Sequence, residues 1–366
     1  MIINNQKFRT IWPNDAMAVG GRFLSIIDQT KLPHAFKIVE INSMSQMIVA
    51  IKTMQVRGAP LIGAAAAYGM ALAMQDDSSD EHLYLSAKQL TQSRPTAVNL
   101  RWAVERMKQL LLPMATELRF QAAWAEAAKI CDEDVLLNHA IGQHGLSLIQ
   151  SLHAQDLNAQ LNRQFNILTH CNAGWLATVD FGTALAPIYA AHDAGVNVHV
   201  WVDETRPRNQ GASLTAWELA QHGVAHTVIS DNAGGHLMQH GQVDMVIVGA
   251  DRVTSSGDVC NKIGTYLKAL AAFDNHVPFY AAVPSPTIDW TMLNGVQEIE
   301  IEERDGREVA WMAGMLATGE IAEVNILPAN TRVANPAFDV TPARLVTGII
   351  TEHGVFAPSQ LKSILE

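Results

Sequence analysis

Cys171 closes the apolar run FNILTHC, and Asp251 follows MVIVGA, six residues without a charge. A free cysteine is most often a small buried hydrophobe. At the end of an apolar run, with NAGWLAT able to open a helix behind it, its thiol can also meet a developing negative charge. A carboxyl group at the rim of an apolar sheet loses hydration, which raises its pKa and lets it donate a proton near neutrality. The plainer roles for Asp251 are a helix cap or a partner for Arg252. A thiol and a carboxylic acid on neighbouring strand ends make an acid–base pair without naming a reaction. Of the other two cysteines, Cys131 lies inside a helical pattern and reads as packing, while Cys260 stands in a loop beside Asn261.

The cations around this pair sit in turns. VRGAP sets Arg57 beside a glycine at a helix start, a place suited to an oxyanion, and SRPTAVNL puts Arg94 on a proline-restricted turn. RNQG carries Arg208 and Gln210, and NKIG carries Asn261 and Lys262 before a helix. In an acidic chain, such a gathering suggests a phosphate or polyhydroxy ligand. No GxGxxG follows the first strand and no GxxxxGK[ST] occurs, so no nucleotide cofactor is expected. The fourteen histidines include no HExxH and no close carboxylate–histidine set, and no metal is expected. His170 faces away from Cys171 along the strand and reads as a core histidine with a hydrogen-bond partner.

The elements that must position these residues change rhythm along the chain. From about residue 80 to 160, stretches such as NLRWAVERMKQLL place apolar residues at three- and four-residue spacing, and VRGAPLIGAAAAYGMALAM reads as a glycine turn entering a long buried helix. Beyond residue 160, the short apolar runs FNILTHC, VNVHVWV, AHTVIS, DMVIVGA and PFYAAV alternate with helical stretches. That alternation predicts a parallel sheet covered on both faces, an α/β doubly wound fold. Each run ends in a polar, glycine- or proline-bearing loop, and ligands of such sheets bind beyond the carboxyl ends of the strands. The expected division is a mainly helical N-terminal domain with a few short strands over residues 1–155, then the parallel-sheet domain over 156–366. The net charge of -11 argues against nucleic acid or an anionic membrane as partner. Three scattered cysteines without a CxxC, and no apolar stretch long enough to span a bilayer, point to the cytoplasm.

The blocks VRGAPLIGAAAAYG, RPTAVNLRWA, LTHCNAGWLAT, VDETRPRNQGASLTAWEL, VGADRVTSSGDVCNKIGTY, PSPTID, IEER and NPAFDVTPARLVTGIITEHG closely resemble the methylthioribose-1-phosphate isomerases. That superfamily includes the regulatory subunits of the translation-initiation guanine-nucleotide exchange factor and ribose-bisphosphate isomerases. The resemblance runs from about residue 50 to 360. It implies a small helical N-terminal domain, a Rossmann-like C-terminal domain and a homodimer; no cofactor is expected. It also implies isomerisation of the aldose 5-methylthioribose 1-phosphate to the ketose 5-methylthioribulose 1-phosphate in methionine salvage. On the matching positions, Asp251 would be the proton donor and Cys171 the second catalytic residue. Arg57, Gly58, Ala59, Arg94, Gln210, Asn261 and Lys262 would bind substrate. The sequence departs from the family pattern at Leu61, Asn209 and Val179–Asp180, which bears on the fit around the 5-substituent. The hydrogen that moves from C2 to C1 could travel as a proton or as a hydride. The alternatives are a 5-deoxyribose 1-phosphate or related pentose-phosphate isomerase, and a non-catalytic regulatory member of the superfamily.

Overall fold

The computed structural model describes residues 1–3, 6–14, 21–94, 96–155 and 163–365. After a short antiparallel pair, Ile2–Ile3 with Gln6–Lys7, the N-terminal part forms a three-stranded antiparallel sheet, β1 (Ile11–Asn14), β2 (Phe23–Ile27) and β3 (Ile38–Ile41). Five helices follow: α1 (Met44–Lys52), α2 (Ala59–Asp76), α3 (Asp80–Ser93), α4 (Val98–Leu111) and α5 (Thr116–Gln155). Gly58 precedes α2 at φ 92, and Pro60 occupies its first turn, where the missing N–H costs nothing. Small residues let α2 be buried nearly all round, among α1, α3, α4 and α5.

The second part is built on a seven-stranded sheet. Its strands are β4 (Phe165–Thr169), β5 (Val198–Asp203), β6 (Ala225–Ile229), β7 (Met245–Val248), β8 (Phe279–Ala282), β9 (Gly348–Thr351) and β10 (Gly354–Phe356). Across the sheet they run β10-β9-β8-β7-β4-β5-β6, all parallel except β10 at the edge. Helices α6 (Leu185–Asp193), α7 (Ala216–His222), α8 (Ala233–Gln239) and α9 (Thr265–Asp274) intervene. Every residue of β7, β8 and β9 is buried, as expected of strands covered on both faces. From β4, chain progression goes one way through β5 and β6 and the other way through β7, β8 and β9. The switch point is therefore the crevice between β4 and β7, whose ends lead to Cys171 and Asp251.

Two local expectations are corrected. NAGWLAT does not open a helix: a single 3-10 turn spans Trp175–Ala177, and α6 starts only at Leu185. The N–H groups of Trp175 and Leu176 are taken by the buried Glu218 carboxylate, so they cannot start a helix at Cys171. Cys260, Asn261 and Lys262 lie not in a loop but on a strand, Val259–Lys262, paired with Arg252–Thr254 and with Phe338–Thr341. The division between 155 and 156 falls where α5 ends, and residues 156–162 lie outside the described residues. Ile141 and Ile149 of α5 pack into the same apolar cluster as β4, β5 and α6, so this helix serves both parts of the chain.

One contact between the parts titrates. Asp134 of α5 is buried and accepts the Val179 N–H at 2.8 Å, and burial raises its pKa from 3.8 to about 7. A raised acid binds its proton more tightly folded than unfolded, so its contribution to stability is complete below 3.8 and is lost as pH rises through about 7. Asp134→Asn is therefore expected to flatten the fall in stability between about pH 5 and 9 by about 3 kcal/mol, read from urea melts. An unchanged slope would contradict this assignment.

Candidate active site

Cys171 follows β4 with φ 68, a left-handed conformation rare for a residue with a Cβ. Its peptide is held from both sides: the N–H donates to Thr205 Oγ1 at 2.8 Å, and the carbonyl accepts from Thr215 Oγ1 at 2.7 Å. Thr205 in turn donates to the Asp203 carbonyl at the end of β5. Cys171 is 7% exposed. Burial raises its pKa, while Arg57 and Lys262 draw it down and Asp251 pushes it up. Asp251 stands three residues beyond β7, its N–H donating to the Cys260 carbonyl at 2.9 Å. Burial raises its carboxyl as well, against the pull of Lys262, Arg94 and Arg57. Lys262, 6% exposed, is lowered by burial and held up by Cys171 and Asp251. Its ammonium lies 4.6 Å from the centre of the Phe338 ring. Cys171 and Lys262 are buried and Asp251 is half-buried, and the three lie within electrostatic reach of one another.

The other expected residues surround it. Arg57 donates twice to Asn172, Nη1 to Oδ1 at 2.5 Å and Nη2 to the backbone carbonyl at 2.7 Å. Arg57 and Gln210 line a cavity of about 530 Å³ together with Met54, Arg208 and Trp311, within the usual size of small-molecule sites. Ala59, Arg94 and Asp251 line a smaller recess of about 30 Å³ with Cys260 and Phe338. Arg94 reaches Glu302 at 3.5 Å, and its Nε has no partner among the described residues; Pro95 lies outside them. Gln210 is 6% exposed with Oε1 likewise unpartnered, and Asn261 donates to Thr265 Oγ1 at 3.0 Å. Gly58 lets the start of α2 press on the loop after Cys171: a Cβ there would lie 2.5 Å from the Ala177 Cα. Neither plainer role for Asp251 is seen: a strand, Arg252–Thr254, follows it rather than a helix, and Arg252 pairs with Asp289 at 3.6 Å and donates to the Thr96 carbonyl.

Several participants escaped the sequence reading. Asn172, Thr205, Thr215 and Glu218 hold the backbone and Arg57; the signal was a glutamate inside the apolar stretch LTAWELA. Cys260 borders Asp251's recess, its thiol pushed up to about 12 by burial. His170 is the buried histidine expected, with Nδ1 2.8 Å from Asp203 and Nε2 2.8 Å from the Ile263 carbonyl. A close carboxylate–histidine set does exist, His170 with Asp203 and Asp231, contrary to expectation, because three separate strand ends bring it together. Lys268 supplies a cation there, 3.2 Å from Asp203 and donating to the Asp231 carbonyl.

The chain has known relatives. Residues 55–358 match the Initiation factor 2 subunit family. A methylthioribose-1-phosphate isomerase from Rhodospirillum rubrum is 61% identical over 360 residues, covering 98% of this chain and 91% of that protein. The chain belongs to the methylthioribose-1-phosphate isomerases. Another member, from Methylobacterium nodulans, is 60% identical, covering 97% of this chain and 95% of its own. Among solved structures, the 5-methylthioribose 1-phosphate isomerase of Pyrococcus horikoshii OT3 is similar with TM-score 0.81 and 38% identity, covering 98% and 96% of the two chains. A structure titled translation initiation factor eIF-2B, subunit delta, from A. fulgidus is similar with TM-score 0.76 and 39% identity, covering 97% of each. Among the described residues no helix is long and apolar enough to cross a membrane.

Proposed function

We propose that this chain is an aldose–ketose isomerase that converts 5-methylthioribose 1-phosphate to 5-methylthioribulose 1-phosphate in methionine salvage, as a cytoplasmic homodimer. A mainly helical domain, 1–155, would close over a Rossmann-like domain, 156–366. The observation that carries the reading is the placement of Cys171 and Asp251 just beyond β4 and β7, the paired strands that flank the switch point, with buried Lys262 within electrostatic reach of both. Family membership supports the substrate.

The chemistry suits these groups. A sugar phosphorylated on its anomeric oxygen cannot open by hemiacetal reversal. Asp251, whose carboxyl is shifted by desolvation toward the acid form, gives its proton to the ring oxygen as the C1–O bond breaks, leaving positive charge on C1 and its phosphate-bearing oxygen. The hydrogen on C2 then moves to C1 while the C2 hydroxyl gives up its proton, which returns to the Asp251 carboxylate, and the ketose results. In our reading it moves as a hydride, because burial keeps the Cys171 thiol protonated and so a poor base. Cys171 lines the path, where its polarisable sulfur lies against the positive charge. Arg57, with the Gly58–Ala59 backbone, Arg94, Asn261 and Lys262 binds the phosphate, and Gln210 takes a sugar hydroxyl.

The test is turnover of the purified chain on 5-methylthioribose 1-phosphate carrying deuterium at C2. The expected result is conversion with full retention of the label at C1 in ordinary water. Washout of the label would replace the hydride step with a proton relay. No turnover, on this substrate or on 5-deoxyribose 1-phosphate, would leave the regulatory reading.

A further inference from the structure

We propose that Glu218 is a positioning residue for substrate binding: it fixes which way the Asn172 amide lies, and through that amide it aims the Arg57 guanidinium. The proposal rests on the reading of Arg57 as a phosphate ligand. Glu218 stands on α7 and is fully buried, at 0% exposure. Its Oε1 accepts from Asn172 Nδ2 at 2.8 Å and from the Leu176 N–H at 3.1 Å. Its Oε2 accepts from the Trp175 N–H at 2.7 Å and from the Tyr189 hydroxyl at 2.8 Å. Gly174 lets the chain come this close, since a Cβ there would lie 1.9 Å from Oε2.

A carboxylate only accepts and a guanidinium only donates, whereas an amide does one with each end. Asn172 stands between the two and has one productive orientation. Nδ2 turns inward to Glu218, and to Thr215 Oγ1 at 3.2 Å; Oδ1 turns outward to meet Arg57 at 2.5 Å. Reversing the amide would set acceptor against carboxylate and donor against guanidinium. Of the five N–H groups of Arg57, two are spent on Asn172; among the described residues the other three meet no partner, and Arg57 lines the cavity. The same carboxylate shapes the Trp175–Ala177 turn on which Gly58 rests. A pre-aimed guanidinium loses less freedom when it meets an anion, and that gain appears in binding.

The full-length chain is assayed with 5-methylthioribose 1-phosphate, and with inorganic phosphate as a competitive inhibitor. Glu218→Gln keeps the volume but turns one acceptor into a donor that faces donors. It is expected to raise KM and the phosphate Ki about tenfold, the weight of one charge-assisted hydrogen bond, with kcat per folded site within about threefold of the parent. A purely structural role would lower the folded fraction in a urea melt and leave KM and Ki where they were, and that result overturns the proposal. Asn172→Leu is expected to raise KM similarly, and the double variant to be no worse than Asn172→Leu alone, since both act through one contact. Additive effects on KM would also overturn it. If Glu218→Gln does not accumulate folded, Asn172→Leu still decides: unchanged KM and Ki reject the relay. Arg57→Leu separates the two layers of argument. If it raises KM while the Glu218 and Asn172 variants do not, the relay alone fails; if it leaves KM and Ki unchanged, the phosphate assignment fails and takes the relay with it.

Discussion

Asp251→Asn is expected to lower kcat/KM by about 10²–10⁴-fold without loosening the fold. Asparagine fills the same space and keeps the backbone N–H bond to the Cys260 carbonyl, but it has no proton to give to a ring oxygen. Burial raises the carboxyl, so in the parent the active acid form persists toward neutral pH. The parent's kcat/KM should therefore hold on the acid side and fall as pH rises through that raised value; in Asp251→Asn this limb should vanish with the activity. Stability moves independently. A raised acid contributes fully below 3.8 and progressively less as pH climbs through its folded pKa. Asparagine, which never ionises, removes that loss, so the variant should melt no lower than the parent at pH 8. Rate constants and melting curves on one preparation check both halves. Near-parental turnover would remove Asp251 from the mechanism.

Much of the frame that places this residue was legible in the sequence. All five apolar runs became neighbouring parallel strands; the four inner ones are largely buried, as strands covered on both faces must be apolar and need a helix to return, while β6 at the edge is largely exposed. Cys171 and Asp251 were legible for the same reason: each follows such a run, and those two runs became β4 and β7, the strands flanking the switch point. Arg57 and Gly58 were legible as a turn chemistry at the start of α2.

What stayed hidden depends on partners distant in the chain. Val259–Lys262 reads as a loop locally, because its ladder with Phe338–Thr341 joins residues about eighty positions apart. The helix expected at NAGWLAT was a fair reading of small residues after a strand, but Glu218, over forty residues later, takes the N–H groups. Asn172 looked like a loop residue until Glu218 and Arg57 appeared on its two sides. Periodicity reports how a residue faces a core, and it is silent about which buried polar group will find which partner.

The same buried polar groups make Cys171→Ser an informative substitution. The peptide at residue 171 is held at φ 68 by Thr205 and Thr215 through its own N–H and carbonyl, so changing the side chain leaves those bonds in place. The strain of that conformation, on the order of 1–3 kcal/mol, is the same for serine or alanine as for cysteine. The variants should fold as the parent does, and any loss then belongs to the sulfur. Serine keeps an O–H donor but is smaller and less polarisable than the thiol. Cys171→Ser is expected to lose about 10²–10³-fold in kcat, the size of effect seen when one group stabilising a charged transition state is removed. Cys171→Ala, with no donor at all, should fall at least as far. The two together separate hydrogen bonding from the character of sulfur: serine well above alanine assigns the effect to a donor at this position, and equal losses assign it to the thiol itself. Turnover by Cys171→Ala at the parental rate would remove the thiol from the chemistry and leave it as packing at the end of β4, its commonest role in a protein interior.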